Sequence, residues 1–200
     1  HQPGAEIWTG ETGSAQCGGQ PKLSDRWASS FWWADQLGRG ARVGQRVMVR
    51  HSLLGGDYGL VDRLSLKPRP DFWVSWLWAR LMGKKVYAIA SSDPRLRAYL
   101  HGHPSGVGQT LMLINLYDQP VNYRLTGLKF EDEHYVMTAR SLTSRKVRIN
   151  GIRASFRKGK VDLAAFQVPL QHRELPPFSV SFWRVRIVPG EFPVQDADDK

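Results

Sequence analysis

Apolar and polar positions change their spacing once along the chain, near residue 84. Ahead of that point, strand-like and helix-like patterns alternate. Residues 5–11 are β-prone and read as a strand. Trp27, Phe31 and Ala34 then recur at helical spacing as far as Gly38. Ser24 suits the N-cap of that helix, Asp25 its first turn and Gly38 its C-terminal stop. Residues 46–54 (RVMVRHSLL) read as a second strand, closed by Gly55-Gly56-Asp57-Tyr58-Gly59. A proline-punctuated loop leads into a helix over residues 72–82, with Asp71 as its cap and Gly83 as its stop. Strand, helix, strand, helix at this spacing predicts two β/α units of a parallel α/β fold.

Beyond residue 84 short alternating runs take over: 86–90, 95–101, 110–117, 121–126, 135–139, 147–156 and 178–188. The sixth contains Asn150-Gly151, a two-residue hairpin signal. These runs predict an antiparallel β-sandwich, and hence domains at 1–83 and 84–200, with a frayed acidic tail from Asp196 to Lys200. Two β/α units cannot close a sheet, and a full (β/α)8 barrel takes roughly 200 residues or more. Residues 1–83 are therefore expected to pair with strands of an N-terminal part or a partner chain.

A hydrophobic content of 42%, with eight Trp and eight Phe, marks a folded chain. No apolar run has the length of a membrane span, and no signal-peptide pattern or initiator Met stands at His1, so a processed chain or a piece of a longer one is expected. The lone Cys17 excludes an intrachain disulfide and a Cys-based zinc site, and no N-glycosylation sequon occurs. Lys and Arg number 28 against 18 Asp and Glu, giving +10. That surplus favours a polyanionic partner, and nucleic acid, acidic polysaccharide and anionic membrane share this chemistry. No P-loop, dinucleotide fingerprint or nucleic-acid motif is present.

Glu11 is the prime candidate for chemistry. It stands where a β-prone run opens into a glycine-rich stretch, and α/β enzymes keep reacting groups at such strand ends. Retaining glycoside cleavage needs two carboxylates about 5 Å apart. Asp57 and Asp62 are available by spacing for the second, but both suit turns, so the acid/base is expected outside this chain. Cys17-Gly18-Gly19 reads either as an anion-binding nest of backbone amides or as a tight loop. The Tyr58 phenol either donates to a bound carboxylate or packs on the core rim. Arg50 and His51 close the second strand, as cleft residues or structural ones. His101 and His103 lack a third ligand, so no metal or cofactor is expected. Trp73, Trp76 and Trp78 fit core and interface packing better than sugar stacking.

Several motifs in order resemble the heparanase family, the family 79 endo-β-glucuronidases. They are Trp8-Thr9-Gly10-Glu11-Thr12-Gly13-Ser14-Ala15, Gly18-Gly19, Leu23-Ser24-Asp25, Leu37-Gly38, Met48-Val49-Arg50, Gly56-Asp57-Tyr58-Gly59-Leu60-Val61-Asp62 and Pro70-Asp71-Phe72-Trp73. The match is dense over residues 7–86 and weaker through the sheet region to Phe182. The resemblance implies the last two β/α units of a (β/α)8 TIM barrel followed by the sandwich, with Glu11 as nucleophile. It implies that the acid/base lies on an N-terminal companion segment. It also implies that Gln16, Cys17 and Gly18 in one loop, and Gly56, Asp57 and Tyr58 in another, bind a uronate carboxylate. The substrate implied is an acidic polysaccharide, heparan sulfate or heparin, with neither nucleic acid nor membrane as partner. Gln16 and Cys17 depart from the Tyr and Gly of vertebrate relatives. With the missing sequons and disulfide cysteines, this suggests a bacterial member, secreted or periplasmic. An exo-β-glucuronidase and a non-catalytic polysaccharide-binding module are the alternatives.

Overall fold

The computed structural model describes residues 4–156, 159–170 and 173–192. The tail expected to fray, residues 196–200, lies outside them.

Strand β1 (Ile7–Thr12) and strand β2 (Gln45–Arg50) pair in parallel, with Ile7 opposite Gln45 and Thr12 opposite Arg50. Helix α1 (Trp27–Arg42) makes the crossover between them, as a parallel pair requires. Helix α2 (Pro70–Leu81) follows β2, with Pro70 in its first turn. Parallel strands are normally covered on both faces. Here Ile7 and Trp8 of β1 are 57% and 61% exposed, and β1 and β2 pair only with each other among the described residues.

Two local expectations at α1 give way to tertiary contacts. Ser24 is not the cap. The cap position is Arg26, whose side chain makes no capping bond, and the amides of Trp27 and Ala28 donate to the carbonyls of Ser144 and Leu142, each at 2.9 Å. A distant loop thus satisfies donors that a local side chain usually takes. Gly38 is not the stop either, and the helix runs on to Arg42. Gly38 lies against the Tyr99 ring, where a Cβ would come within 2.4 Å. It is a close-approach residue, chosen for the absence of a side chain. Gly38→Ala should therefore destabilise the fold by about 1–3 kcal/mol through overpacking, although alanine is the better helix former by about 1 kcal/mol. Urea unfolding reads the sign, and a gain in stability would contradict this packing.

Strands β3 (Val86–Tyr87), β4 (Leu96–Gly102), β5 (Gln109–Asn115), β6 (Leu128–Ala139), β7 (Val147–Ile149), β8 (Ile152–Arg153) and β9 (Ser179–Ile187) form one antiparallel sheet in the order β3-β4-β5-β9-β6-β7-β8. Asn150-Gly151 turns the β7–β8 hairpin as expected. Alternation along the central strands sends Met112, Ile114, Tyr135, Met137, Val180 and Phe182 into a core shared with Trp27, Phe31, Trp73, Trp76 and Leu77 of the helices. One core thus crosses the boundary expected at residues 83 and 84. Leu111, Leu113, Trp183 and Val185 face the other way, under Leu175 and the partly buried Tyr123, Leu125 and Leu170.

That second layer is where a sandwich calls for a second sheet. Among the described residues it consists of extended segments joined by a single bridge, Val121 to Leu175. Residues 121–126, expected as a strand, contribute only this bridge. Pro120, Pro169, Pro176 and Pro177 flank these segments, and proline has no N–H to give to a ladder.

Candidate active site

The C-terminal ends of β1 and β2 lie side by side. The His51 amide donates to the Thr12 carbonyl at 2.9 Å, carrying the pairing one residue past β2. Glu11 and His51 meet at this end, with Glu11 Oε1 3.6 Å from His51 Nδ1. Both side chains are open, 71% and 48% exposed. The His51–Ser52 peptide is cis. A carboxylate thus stands at the same end of a parallel strand pair as an imidazole, on the side where such folds carry their chemistry.

Two loops flank this strand end and are bonded to each other. The Gly18 carbonyl accepts the amides of Asp57 at 2.5 Å and Tyr58 at 3.2 Å. Gly56 must be glycine, because a Cβ there would lie 2.5 Å from the Gly18 oxygen. Cys17, Gly18 and Gly19 all take the left-handed backbone conformation, Cys17 at φ 52° although it has a side chain. Its thiol is exposed, and the amides of Cys17 and Gly18 donate to nothing among the described residues. Gln16 accepts the Gly19 amide at 3.1 Å through its carbonyl, and its side chain is exposed. The Tyr58 ring is buried beneath Gly13, where a Cβ would come within 2.9 Å of it, and meets His51 edge-on at 5.3 Å. The Tyr58 hydroxyl has no partner among the described residues.

Two buried arginines explain why the second loop holds this shape. Arg69 Nη1 donates to three carbonyls, those of Gly56 and Asp57 at 2.8 Å and of Gly59 at 3.2 Å. Arg50 donates to the Tyr58 carbonyl through Nη2 at 2.7 Å and Nε at 3.2 Å. The carbonyls of residues 56–59 are thereby gathered on two guanidinium groups, while the amides of Asp57 and Tyr58 turn to Gly18. The amide and carbonyl of Asp57, and no side-chain bond among the described residues, tie this residue into the site.

Arg50 carries a second set of contacts. Its Nη2 donates to Asp71 Oδ2 at 2.7 Å, and its guanidinium lies 5.0 Å and 4.9 Å from the ring centres of Trp32 and Trp33. Asp71, expected as a helix cap, instead accepts Ser29 Oγ at 2.9 Å and Ser30 Oγ at 2.7 Å. Burial raises the Asp71 pKa against the pull of Arg50 and the serines, and burial lowers that of Arg50 against the pull of Asp71. Desolvation thus dominates for both partners, as it does in many interior ion pairs.

The two carboxylates that spacing offered as partners for Glu11, Asp57 and Asp62, both lie in the connection between β2 and α2. Asp62 accepts the Ser65 amide and hydroxyl at 2.9 and 2.8 Å and Arg69 at 3.2 Å. The Ser65 amide first, then its hydroxyl, holds the Asp62 carboxyl far below the usual carboxylate range, so it is ionised at neutral pH. Asp57 lies in the loop contact already described. His101 turns Nδ1 to the Gly83 carbonyl and its ring edge toward Trp78, while His103 turns to Ser105. No group of three potential metal ligands occurs among the described residues. Spacing left Arg50 and His51 open between cleft and structural roles and gave Arg69 no role beyond its place in a proline-punctuated loop. Their only sequence signal is charge placed beside runs that become buried.

With this geometry in hand, known proteins are informative. A sequence profile described as "Glycosyl hydrolase family 79, N-terminal domain" matches residues 1–38, which include Glu11 and the first loop. Heparanase-like protein 1 of Arabidopsis thaliana is 44% identical over 120 residues, 60% of this chain and 22% of that protein. Heparanase of Bos taurus is 34% identical over 203 residues, 92% of this chain and 37% of that protein. The chain belongs to glycoside hydrolase family 79. This family 79 chain spans well under half the length of those two relatives. In fold it resembles the α-L-arabinofuranosidase of Thermotoga maritima, with a TM-score of 0.59 at 15% identity, over 94% of this chain and 43% of that one. Its structural neighbours are TIM-barrel glycoside hydrolases.

Proposed function

We propose that this chain is the nucleophile-bearing part of a retaining endo-β-glucuronidase that cleaves heparan sulfate or heparin. The observation that carries the reading is Glu11 at the shared C-terminal end of β1 and β2, beside two loops joined at Gly18. Glu11 attacks the anomeric carbon of a glucuronide, the glycosidic bond to the leaving sugar breaks, and a glycosyl-enzyme ester forms. Water then attacks the same carbon and releases Glu11 as carboxylate. The acid/base that protonates the leaving oxygen belongs to an N-terminal companion segment. That segment also supplies the strands that cover Ile7 and Trp8 and complete a (β/α)8 barrel.

The amides of Cys17 and Gly18 and the hydroxyl of Tyr58 receive the uronate carboxylate. Their lack of partners among the described residues supports this role, and bonds to an ionised acceptor are about twice as strong as neutral ones. Gln16, Gly56 and Asp57 shape the two loops around it. The +10 charge adds long-range attraction to sulfated chains. The same reading puts the protein outside the cytoplasm, secreted or periplasmic, where such chains occur.

Product analysis tests it. The full-length protein should shorten heparan sulfate chains rapidly on gel filtration, and the first-formed reducing end should carry the β configuration by NMR. Release of single glucuronate units from chain ends would favour an exo-enzyme, and binding without any cleavage a polysaccharide-binding module.

A further inference from the structure

Away from Glu11, the β6–β7 connection and the β7–β8 hairpin meet the start of α1 around a groove of about 490 Å³. Arg26, Arg140, Arg145, Lys146, Arg148 and Arg153 line it, and no carboxylate among the described residues does. Asp25, buried behind it, is bonded to Arg145 through Nε at 2.8 Å and through Nη2, and lies 3.4 Å from Arg26. Arg148 gives Nη1 to the Gly151 carbonyl at 2.6 Å. Arg140, Lys146 and Arg153 are exposed and have no partner among the described residues.

The sheet itself works against this arrangement. Arg148 and Arg153 are direct cross-strand partners in the β7–β8 pair, and like charges in that relation destabilise a sheet. Beyond the Arg148 bond to the Gly151 carbonyl, neither side chain has a partner among the described residues that offsets this cost. An external anion removes the cost.

The groove is also wired to the candidate active site. Ser24 accepts the Gln20 amide at 2.9 Å and the Ser14 hydroxyl at 2.7 Å, both in the loop that follows Glu11. The next residue, Asp25, holds Arg145. A three-residue segment, Ser24-Asp25-Arg26, therefore joins the rim of one site to the wall of the other.

We propose that this groove is a second binding site for an acidic polysaccharide, holding sulfate or carboxylate groups of a chain whose scissile bond lies at Glu11. The last clause rests on the function proposed above. The groove favours carbohydrate over nucleic acid because no aromatic side chain among the described residues lines it, whereas single-stranded nucleic acids are held by stacking on aromatic rings. Its guanidinium groups match the forked geometry of carboxylate and sulfate oxygens. The first amides of α1 are already taken by Ser144 and Leu142, so side-chain cations do the binding.

The test combines Arg140→Ala, Lys146→Ala and Arg153→Ala in the full-length protein, on a Glu11→Gln background so that the probe is not cut. Thermal melting should not fall, since the three side chains are unpaired among the described residues and the loss of Arg153 relieves its opposition to Arg148. Calorimetric titration with a heparin dodecasaccharide should show affinity about tenfold lower, with the slope of log K against log salt shallower by about two, as for three lost ion contacts on a single-stranded polyanion. With Glu11 restored, turnover of a small chromogenic glucuronide should not change. Unaltered dodecasaccharide affinity and slope would overturn the proposal. So would a thymidine oligonucleotide of equal charge that binds as tightly as the dodecasaccharide and loses affinity in the triple variant, since the groove would then be a nucleic-acid site. Turnover retained by Glu11→Gln alone would remove Glu11 as nucleophile, whereas dodecasaccharide binding read by stopped-flow before any cleavage would still compare the triple variant with its parent, so the two readings fail separately.

Discussion

Glu11→Gln should lower kcat on heparan sulfate by at least about 10⁴-fold, which corresponds to roughly 5 kcal/mol of barrier. The amide has nearly the shape of the carboxylate but cannot form the glycosyl ester, so the loss falls on chemistry. Folding should be almost untouched. Among the described residues Glu11 has one ionisable side chain within ion-pair distance, His51 at 3.6 Å, both groups are open to water, and exposed pairs are worth about 1 kcal/mol or less. Substrate affinity should also persist, because the groups proposed to receive the substrate carboxylate are Cys17, Gly18 and Tyr58, and Glu11 is not among them. Steady-state turnover together with thermal melting checks this. A variant that melts like the parent and still turns over at a comparable rate would exclude Glu11 as nucleophile.

The second large effect concerns stability. Arg50→Met should destabilise the protein by about 3–5 kcal/mol, since removing one partner strands the other as an uncompensated buried charge. Asp71 is 2% exposed and would keep only Ser29 and Ser30. The pH dependence has a definite sign. Burial already raises the Asp71 pKa in the folded state, so that state binds the proton more readily than the unfolded chain does. Stability contributed by such a carboxyl is greatest at low pH and is lost as pH rises through its folded pKa. Without the arginine charge the pKa rises further. The deficit of Arg50→Met relative to the parent should therefore be largest at neutral and alkaline pH and shrink on acidification. Adding Asp71→Asn should recover part of it at neutral pH. Denaturant midpoints measured across pH decide the matter, and a deficit that grows on acidification would contradict the assignment. The Tyr58 carbonyl loses both its Arg50 donors in this variant, so KM should rise as well.

Period and local chemistry made much of this architecture legible. Alternation located β4, β5 and β9 and the end of β6 at residues 135–139, though not its start at Leu128, and Asn150-Gly151 located the β7–β8 hairpin. The end of the β1 pattern pointed to Glu11, and runs of glycine pointed to the loops at Gly18 and Gly56. The failures share one cause, contacts between residues far apart in sequence. Ser24 looks like a cap, but the carbonyls of residues 142 and 144 reach the helix first. Gly38 looks like a stop, but it makes room for Tyr99. Asp71 looks like a cap, but it is the counter-charge of an arginine on another element. The second layer of the sheet domain could not be judged from alternation, because its prolines remove the donors a second ladder needs. Within the site, sequence singled out Asp57 and Tyr58, yet the arginines that aim their loop, Arg50 and Arg69, carry no local signature. Charge read along the chain also looks scattered, and only the fold gathers Arg26 and residues 140–153 into one groove.

The central claim is that Glu11 forms a bond to sugar. The most direct measurement treats the full-length protein with an activated 2-deoxy-2-fluoro-β-glucuronide, which slows hydrolysis of a glycosyl-enzyme, and maps the adduct by peptide mass spectrometry. The account predicts one fluoroglucuronyl group, attached to Glu11 and absent from the Glu11→Gln variant. An adduct on any other carboxylate, Asp57 included, would contradict it.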